Sequence, residues 1–231
     1  MNTISLVIPA YNEEKRIETT VREYYAYLKH NFSNFELIVV CNNCTDRTPK
    51  IVRDLSRELK KTKYLNFPYY TGKGGAVIAG FKEARFELIG FVDADNATTP
   101  REFDKLVKNI NGYDCVIASR AAEGSYLVKK QPFTRRALGK IYSYITQCLF
   151  LWNIKDTQCG AKLFKKQAIK EILPSLKIIG FAFDVEMLWE LKKRNKKFRE
   201  VGIRWKDYKG SKVGIFAPVK MFIQLLKIRF F

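Results

Sequence analysis

Two aspartates separated by one residue, Asp93 and Asp95, directly follow an uncharged, largely apolar run at 88–92. Carboxylates so placed can hold a hard divalent ion, which in turn neutralises a diphosphate. Capping the next helix is the alternative use, and Asn96 or Thr98 could serve that instead. Gly72, Lys73, Gly74 and Gly75 open a helical stretch. They read either as a phosphate cradle at a helix N-terminus or as a helix start that needs close packing. The P-loop pattern is absent. Arg120 follows an apolar run and Arg135-Arg136 opens a helix; guanidinium forks suit phosphate oxygens. Asp184 and Glu186 lie on a helix beside Phe181 and Phe183, where they either steer a cation site or pair with nearby lysines.

Cysteine and histidine narrow the chemistry. Cys41 and Cys44 form a C-x-x-C with no second pair at zinc spacing. They read as two packed thiols in a loop after a strand. The single histidine, His30, sits between Lys29 and Asn31 at a polar helix end, which leaves no place for a histidine-based triad.

The elements that position these residues follow from apolar periodicity. Strands are expected at 4–9, 36–40, 64–67, 88–92 and 114–118. Helices are expected at 13–31, around Ile51, Val52, Leu55 and Leu59, at 72–85 and from Pro100. Strand and helix thus alternate over the first 120 residues, as in an open parallel sheet with helices on both faces. Ligands of such sheets sit beyond the carboxyl ends of the strands. Three polar clusters fall there: 9–14, 42–48 and 93–96. Beyond Arg120 the expectation is a basic loop at 121–132, helices at 134–152 and 181–194, a late strand at 198–206 and an amphipathic helix at 218–231. On that last helix Val219, Phe222, Ile223, Leu226 and Phe230 share a face, with Lys220, Lys227 and Arg229 between them. No repeat or linker interrupts the chain, so it reads as one domain, 1–231, in two halves (1–120 and 121–231).

Composition sets the outer bounds. The chain has 231 residues, 47% of them hydrophobic, which suits a substantial core. Lysine and arginine number 42 against 23 aspartates and glutamates, a net charge of +19, so the surface must meet something anionic. A nucleic-acid-binding module is the reading of another class. It is disfavoured because the basic residues are dispersed and no such motif appears. No stretch reaches membrane-span length and the first residues lack signal-peptide features. A soluble or peripheral protein inside the cell, with reduced thiols, is expected.

Several motifs together carry a resemblance. Val7-Ile8-Pro9-Ala10-Tyr11-Asn12-Glu13-Glu14, the Asp93/Asp95 pair and 72–76 resemble the family 2 glycosyltransferases. The second half is similar to the dolichyl-phosphate β-glucosyltransferases and their polyprenyl-phosphate relatives. It shares Ile117-Ala118-Ser119-Arg120, the run 156–164, Phe183-Asp184-Val185-Glu186, and Trp205 followed by Gly210-Ser211-Lys212. The resemblance implies a GT-A, Rossmann-like α/β fold. By it, Pro9, Ala10, Tyr11 and Glu13 line the nucleoside pocket. Asp93 lies near the donor ribose and sugar, and Asp95 holds Mg²⁺ or Mn²⁺ on the diphosphate. Lys73 joins the donor site, Arg120 and Arg135 grip the acceptor phosphate, and Lys212 assists at a phosphate site. Asn42 stands where the family usually has an acidic base reader, and Ala97 where mannose-transferring relatives often have a glutamine.

The implied reaction is inverting transfer of a hexose from a nucleotide diphosphate, UDP-glucose for preference, to dolichyl or polyprenyl phosphate. UDP-N-acetylglucosamine and GDP-mannose are the alternative donors. The lipid acceptor implies a peripheral place on the cytoplasmic face of a membrane, with the C-terminal helix as the contact. Packing of that stripe on the domain or on a second copy of the chain is the other use for it.

Overall fold

Ile4, Leu6 and Ile8 of β1 (Thr3–Ala10) point to one side of a sheet and Val7 to the other, and all four are fully buried. A strand covered on both faces needs no polar alternation, which is why the run is almost wholly apolar. The computed structural model describes residues 3–129, 133–150, 152–206 and 217–230. After β1 come α1 (Ile17–Asn31), β2 (Asn34–Asn42), α2 (Thr48–Glu58), β3 (Thr62–Phe67), α3 (Gly72–Glu83), β4 (Leu88–Val92), α4 (Pro100–Lys108) and β5 (Cys115–Ser119). Then follow β6 (Tyr126–Lys129), α5 (Phe133–Phe150), β7 (Ala161–Lys165), α6 (Lys166–Ile172), α7 (Phe183–Lys193), β8 (Phe198–Gly202), β9 (Arg204–Lys206) and α8 (Ala217–Phe230).

The main sheet has seven strands in the order β3-β2-β1-β4-β7-β5-β8. β1 to β4 run parallel, and β5 and β8 are parallel to each other. β7 alone among them runs the other way, between β4 and β5. One face is covered by α1, α2 and α4 through Tyr24, Leu28, Leu55 and Phe103. The other is covered by α3, α6, α7 and α8 through Val77, Phe81, Ile169, Phe183 and Leu225. Each such side chain contributes roughly 1.5–3 kcal/mol of burial. Gly80 lets α3 approach β1: a β-carbon there would stand 2.8 Å from Val7 Cγ2.

The structure corrects the sequence expectation at four places. α1 begins at Ile17, because the Glu13 carbonyl accepts from the Arg16 and Ile17 N–H groups and makes 13–16 a turn. The segment read only as a motif at 156–164 ends in a central strand, β7, followed by a further helix, α6. The expected loop at 121–132 contains β6. The late strand at 198–206 is two: β8 joins the main sheet, and β9 pairs with β6 in a separate two-stranded ribbon.

The C-terminal helix divides its apolar residues. Leu225 is fully buried and Ile228 packs on the core, whereas Phe222, Ile223 and Phe230 of the expected stripe face outward. Leu226 is half-buried, and Val219 lies outside the residues whose side chains are described. On the neighbouring α5, Leu138, Ile141 and Tyr144 are exposed in the same way.

Candidate active site

The carboxyl ends of β1, β2 and β4 meet at one edge of the sheet, and the three polar clusters are tied together there. Asn12 adopts a left-handed conformation (φ 52°), which asparagine tolerates better than most residues. Its side chain then bonds Thr45, the amide donating to Oγ1 (3.1 Å) and Oδ1 accepting from the backbone N–H (2.8 Å). The Glu13 N–H donates to Thr48 Oγ1 (2.7 Å) and the Glu14 N–H to Asp46 Oδ2 (3.1 Å). Of the expected nucleoside-pocket residues, Pro9 and Ala10 end β1 and Tyr11 is 42% exposed at its lip. Glu13 is nearly buried, its carboxylate accepting from Arg16 Nε and Nη2 (2.7 and 2.9 Å). Its hydrogen bonds brace the loop.

Asn42 has a definite orientation. Its Oδ1 accepts from the Thr71 backbone N–H (2.8 Å) and hydroxyl (2.9 Å). A backbone N–H only donates, so the atom facing it must be the amide oxygen. The Nδ2 group is therefore the part of Asn42 left for another partner, a donor where an acidic residue would accept.

Asp93 and Asp95 stand just beyond β4. Helix α1 holds their loop: the Thr20 hydroxyl donates to the Ala94 carbonyl (2.9 Å) and the Tyr24 hydroxyl to that of Thr98 (2.7 Å). Asn96, at φ 58°, donates to Glu23 Oε2 (2.7 Å). Asp95 Oδ1 accepts from the Ala97 N–H (3.0 Å). Burial, together with the charge of Asp93, pushes the Asp95 carboxyl above its ordinary range. Lys73 Nζ lies 2.6 Å from Asp93 Oδ1. Burial works against the Lys73 charge, but Asp93 and Asp184 outweigh it and hold the ammonium above its usual value.

The glycine run around Lys73 is not an open anion cradle. Gly74 and Gly75 donate their N–H groups to the Ile179 carbonyl (2.9 and 3.4 Å). A β-carbon on Gly74 would stand 2.9 Å from Phe183 Cγ and closer still to Ile178. Gly72 has φ +67°, a conformation glycine adopts freely. Close packing is thus the use of the run, and its contribution to the site is Lys73. Glu186 fastens the same covering loop, accepting from the N–H groups of Lys177 and Ile178 (2.9 Å each). Gly180 of that loop lies against the Gln224 side chain of α8.

The run 156–164 supplies the other wall. Gly160 accepts the Asp93 N–H (2.9 Å). Asp156 takes a two-pronged bond from Arg120, Nε at 2.7 Å and Nη2 at 2.8 Å, and also accepts its backbone N–H (2.9 Å). Burial works against both charges, and their mutual attraction overrides it: Arg120 is held above its ordinary value and Asp156 below. Arg120 also lies over the Trp205 ring, 5.3 Å from its centre. Glu200 of β8 accepts from the Lys155 and Asp156 N–H groups (2.9 Å each) and so fixes the start of the segment. Much of the Arg120 fork is thus committed to this wall. Arg135 lies in α5, but its side chain is outside the described residues, as is all of Lys212.

Sequence reasoning missed Lys162 as a partner. It has no exposed surface and bonds Asp184, which is 2% exposed. No local pattern marks a lysine within a strand as buried; only its apolar neighbours Leu163 and Phe164 hint at it.

Among the described residues no group of three or more histidines, cysteines or acidic residues converges. Asp93 and Asp95 fit Mg²⁺ or Mn²⁺ by another criterion. Their oxygens are hard ligands, and burial beside a second carboxylate makes the Asp95 charge costly unless a cation is near. Such an ion would take its remaining ligands from diphosphate oxygens and water.

The glycosyl transferase family 2 model matches residues 5–173. Dolichyl-phosphate beta-glucosyltransferase ALG5D of Trichomonas vaginalis is 35% identical over 99% of this chain and 73% of its own length. The human dolichyl-phosphate beta-glucosyltransferase is 30% identical over 98% of this chain and 74% of its own. Among solved structures, glucosyl-3-phosphoglycerate synthase of Mycobacterium tuberculosis in complex with Mn²⁺, UDP and glucosyl-3-phosphoglycerate shares the fold. It has a TM-score of 0.76 and 17% identity, covering 99% of this chain and 80% of that one.

Proposed function

This chain belongs to glycosyl transferase family 2, and from that premise we propose that it transfers glucose from UDP-glucose to dolichyl or another polyprenyl phosphate, with inversion, giving a β-linked lipid-phosphate sugar. The chain is a glycosyltransferase of GT-A type, so what is proposed is the donor, the acceptor and the residues that handle them. The observation that carries the reading is the Asp93/Asp95 pair beyond β4, with Lys73 on Asp93 and the 156–164 wall against it. The named relatives support glucose and dolichyl phosphate as the sugar and the acceptor.

The chemistry asks for charge control rather than a strong base. A lipid phosphate is already anionic near neutral pH and attacks the anomeric carbon itself. The obstacle is bringing it up to a diphosphate. Asp95, with Asp93 beside it, would hold Mg²⁺ or Mn²⁺, which supplies Lewis-acid stabilisation of the departing diphosphate. Lys73 brings a positive charge to the same lip, and Arg120, Arg135 and Lys212 are proposed for the acceptor phosphate. Pro9, Ala10, Tyr11 and Asn42 are proposed to seat the nucleoside, with Asn42 donating to a carbonyl of the base and Glu13 bracing the loop from below. In-line displacement inverts the sugar, so an α-linked donor yields a β-linked product.

A lipid acceptor places the protein at a bilayer. No helix among the described residues is long and apolar enough to cross one. The outward residues Phe222, Ile223 and Phe230 of α8, beside Leu138 and Ile141 of α5, are proposed to rest on it, with Lys140, Lys220 and Lys227 at anionic headgroups. Neither helix contains an acidic residue. Five free cysteines accord with the cytoplasmic face. We read the chain as one domain, since strands from both halves interleave in the seven-stranded sheet.

Incubation with Mg²⁺, a short polyprenyl phosphate and UDP-glucose, UDP-N-acetylglucosamine or GDP-mannose in turn, followed by mass measurement of the lipid, tests the reading. A hexose added from UDP-glucose is expected. Transfer only from one of the other donors overturns the donor, and no lipid product from any of them overturns the acceptor.

A further inference from the structure

Beneath the site runs a line of alternating charge. Lys162 of β7 bonds Asp184, in the first turn of α7, and also donates to the Cys159 carbonyl (3.0 Å). Lys73 is bonded to Asp93 (2.6 Å) and stands 5.9 Å from the centre of the Phe183 ring. Phe183 and Asp184 are neighbours on α7, so the Lys73 ammonium is drawn by two carboxylates, Asp93 and Asp184. A buried ion pair is rarely worth more to stability than apolar side chains of equal volume. Stability alone therefore gives little reason for Lys162 in the centre of the sheet, where its strand partner is Phe91.

Resting on the donor site proposed above, we propose that Lys162 is a positioning residue for sugar transfer: by occupying Asp184 it leaves Lys73 on Asp93, at the lip where the donor diphosphate arrives. Lys162 touches neither substrate. Without its charge, Asp184 is an unpaired buried carboxylate, and Lys73 is the cation near it. Lys73 turns inward and Asp93 is left bare.

The test is a double-mutant cycle of Lys162→Met and Lys73→Met. UDP affinity is measured by calorimetry in EDTA, and donor KM and kcat with Mg²⁺, all well below the melting temperature. Inorganic pyrophosphate is run in parallel. Weak UDP binding by the wild type itself bears on the base of the donor, whereas the difference between wild type and variant bears on Lys162. Lys162→Met is expected to weaken UDP and pyrophosphate about tenfold, the scale of one charge-assisted hydrogen bond, and to have no further effect once Lys73 is Met. Unchanged affinity in Lys162→Met, or equal losses in both backgrounds, overturns the proposal. Because Lys162→Met alone leaves a buried charge and is open to unfolding, Lys162→Met/Asp184→Leu removes both partners. With no rival carboxylate Lys73 stays on Asp93, and near-wild-type UDP affinity is expected; a persistent loss in this folded variant overturns it. Asp184→Asn, which keeps an acceptor for Lys162, is expected to retain kcat. A collapse of kcat with intact UDP affinity would make Asp184 the base of the reaction, contrary to the proposal.

Discussion

Gly160 and Asp93 are packed so tightly that a single methyl group has no room between them. A β-carbon on Gly160 would stand 2.8 Å from Asp93 Oδ1 and nearer still to Oδ2. The glycine therefore permits the carboxylate to lie along the backbone of the facing segment. Gly160→Ala is expected to lower turnover about a hundredfold, the scale set by displacing a reacting group by about an ångström. Overpacking is expected to cost about 1–3 kcal/mol of stability. Turnover read beside thermal melting checks this, and a folded variant with wild-type turnover would be the contrary result.

Asp95→Ala should lose metal-dependent turnover by about a hundredfold or more. Removing a carboxyl whose ionisation burial already opposes should leave the melting temperature in EDTA unchanged or raised. Mn²⁺ titration followed by electron paramagnetic resonance reads the ion directly. Undiminished Mn²⁺ affinity would move the ion away from this residue.

The pair between Arg120 and Asp156 makes a separate claim. Arg120→Ala strands a largely buried carboxylate and should cost about 3 kcal/mol, the lower part of the range for such pairs. Arg120→Lys keeps the charge but loses the two-pronged geometry, and should recover only part of that stability. Chemical denaturation of both variants, with acceptor KM alongside, separates the structural share from any contact with the lipid phosphate.

Cys44 is the thiol to watch. A hydrogen bond from Cys41 is the main cause that lowers its pKa to about 7, against an ordinary 9.0. The folded state thus favours the thiolate. Its contribution to stability is fully present above the unfolded value and is lost as pH falls through about 7. Iodoacetamide labelling mapped by peptide mass should show Cys44 reacting with a half-maximal rate near pH 7. A midpoint near the ordinary thiol value would contradict this.

Phe222→Glu/Ile223→Glu alters residues that already face outward, so melting should barely change. Flotation with phosphatidylserine-containing vesicles should fall sharply. Equal flotation would remove α8 from the membrane contact, and a shift from dimer to monomer on gel filtration would give its outward face to a second copy of the chain.

Much of this was readable from residue order. The run Glu36-Leu37-Ile38-Val39-Val40 announces a buried strand because both of its faces are apolar, and β2 follows. Asp93 and Asp95 stand where expected, since charge directly after such a run has to lie at the edge of a sheet. The strand at 161–165 escaped notice because Lys162 breaks its apolar pattern, and a lysine is normally assigned to solvent. Its burial depends on Asp184, 22 residues further on, a partner that no local pattern reveals. The covering of Gly74 and Gly75 by Ile179 is likewise a contact across about a hundred residues of chain. Short strands such as β9 (Arg204–Lys206) carry too little pattern to separate from their neighbours.

The reversed direction of β7 has a practical consequence. Because it runs against β4 and β5, it offers its beginning, not its end, to the edge that carries Asp93 and Asp95. Its far end turns into α6 at Lys165-Lys166, beside Glu87 and Arg85, at the foot of the molecule. One short strand thus has a chemically exacting entrance and an undemanding exit. A fluorophore or affinity handle grafted near the exit would report on the enzyme from a distance, whereas the same graft at the entrance would jam it.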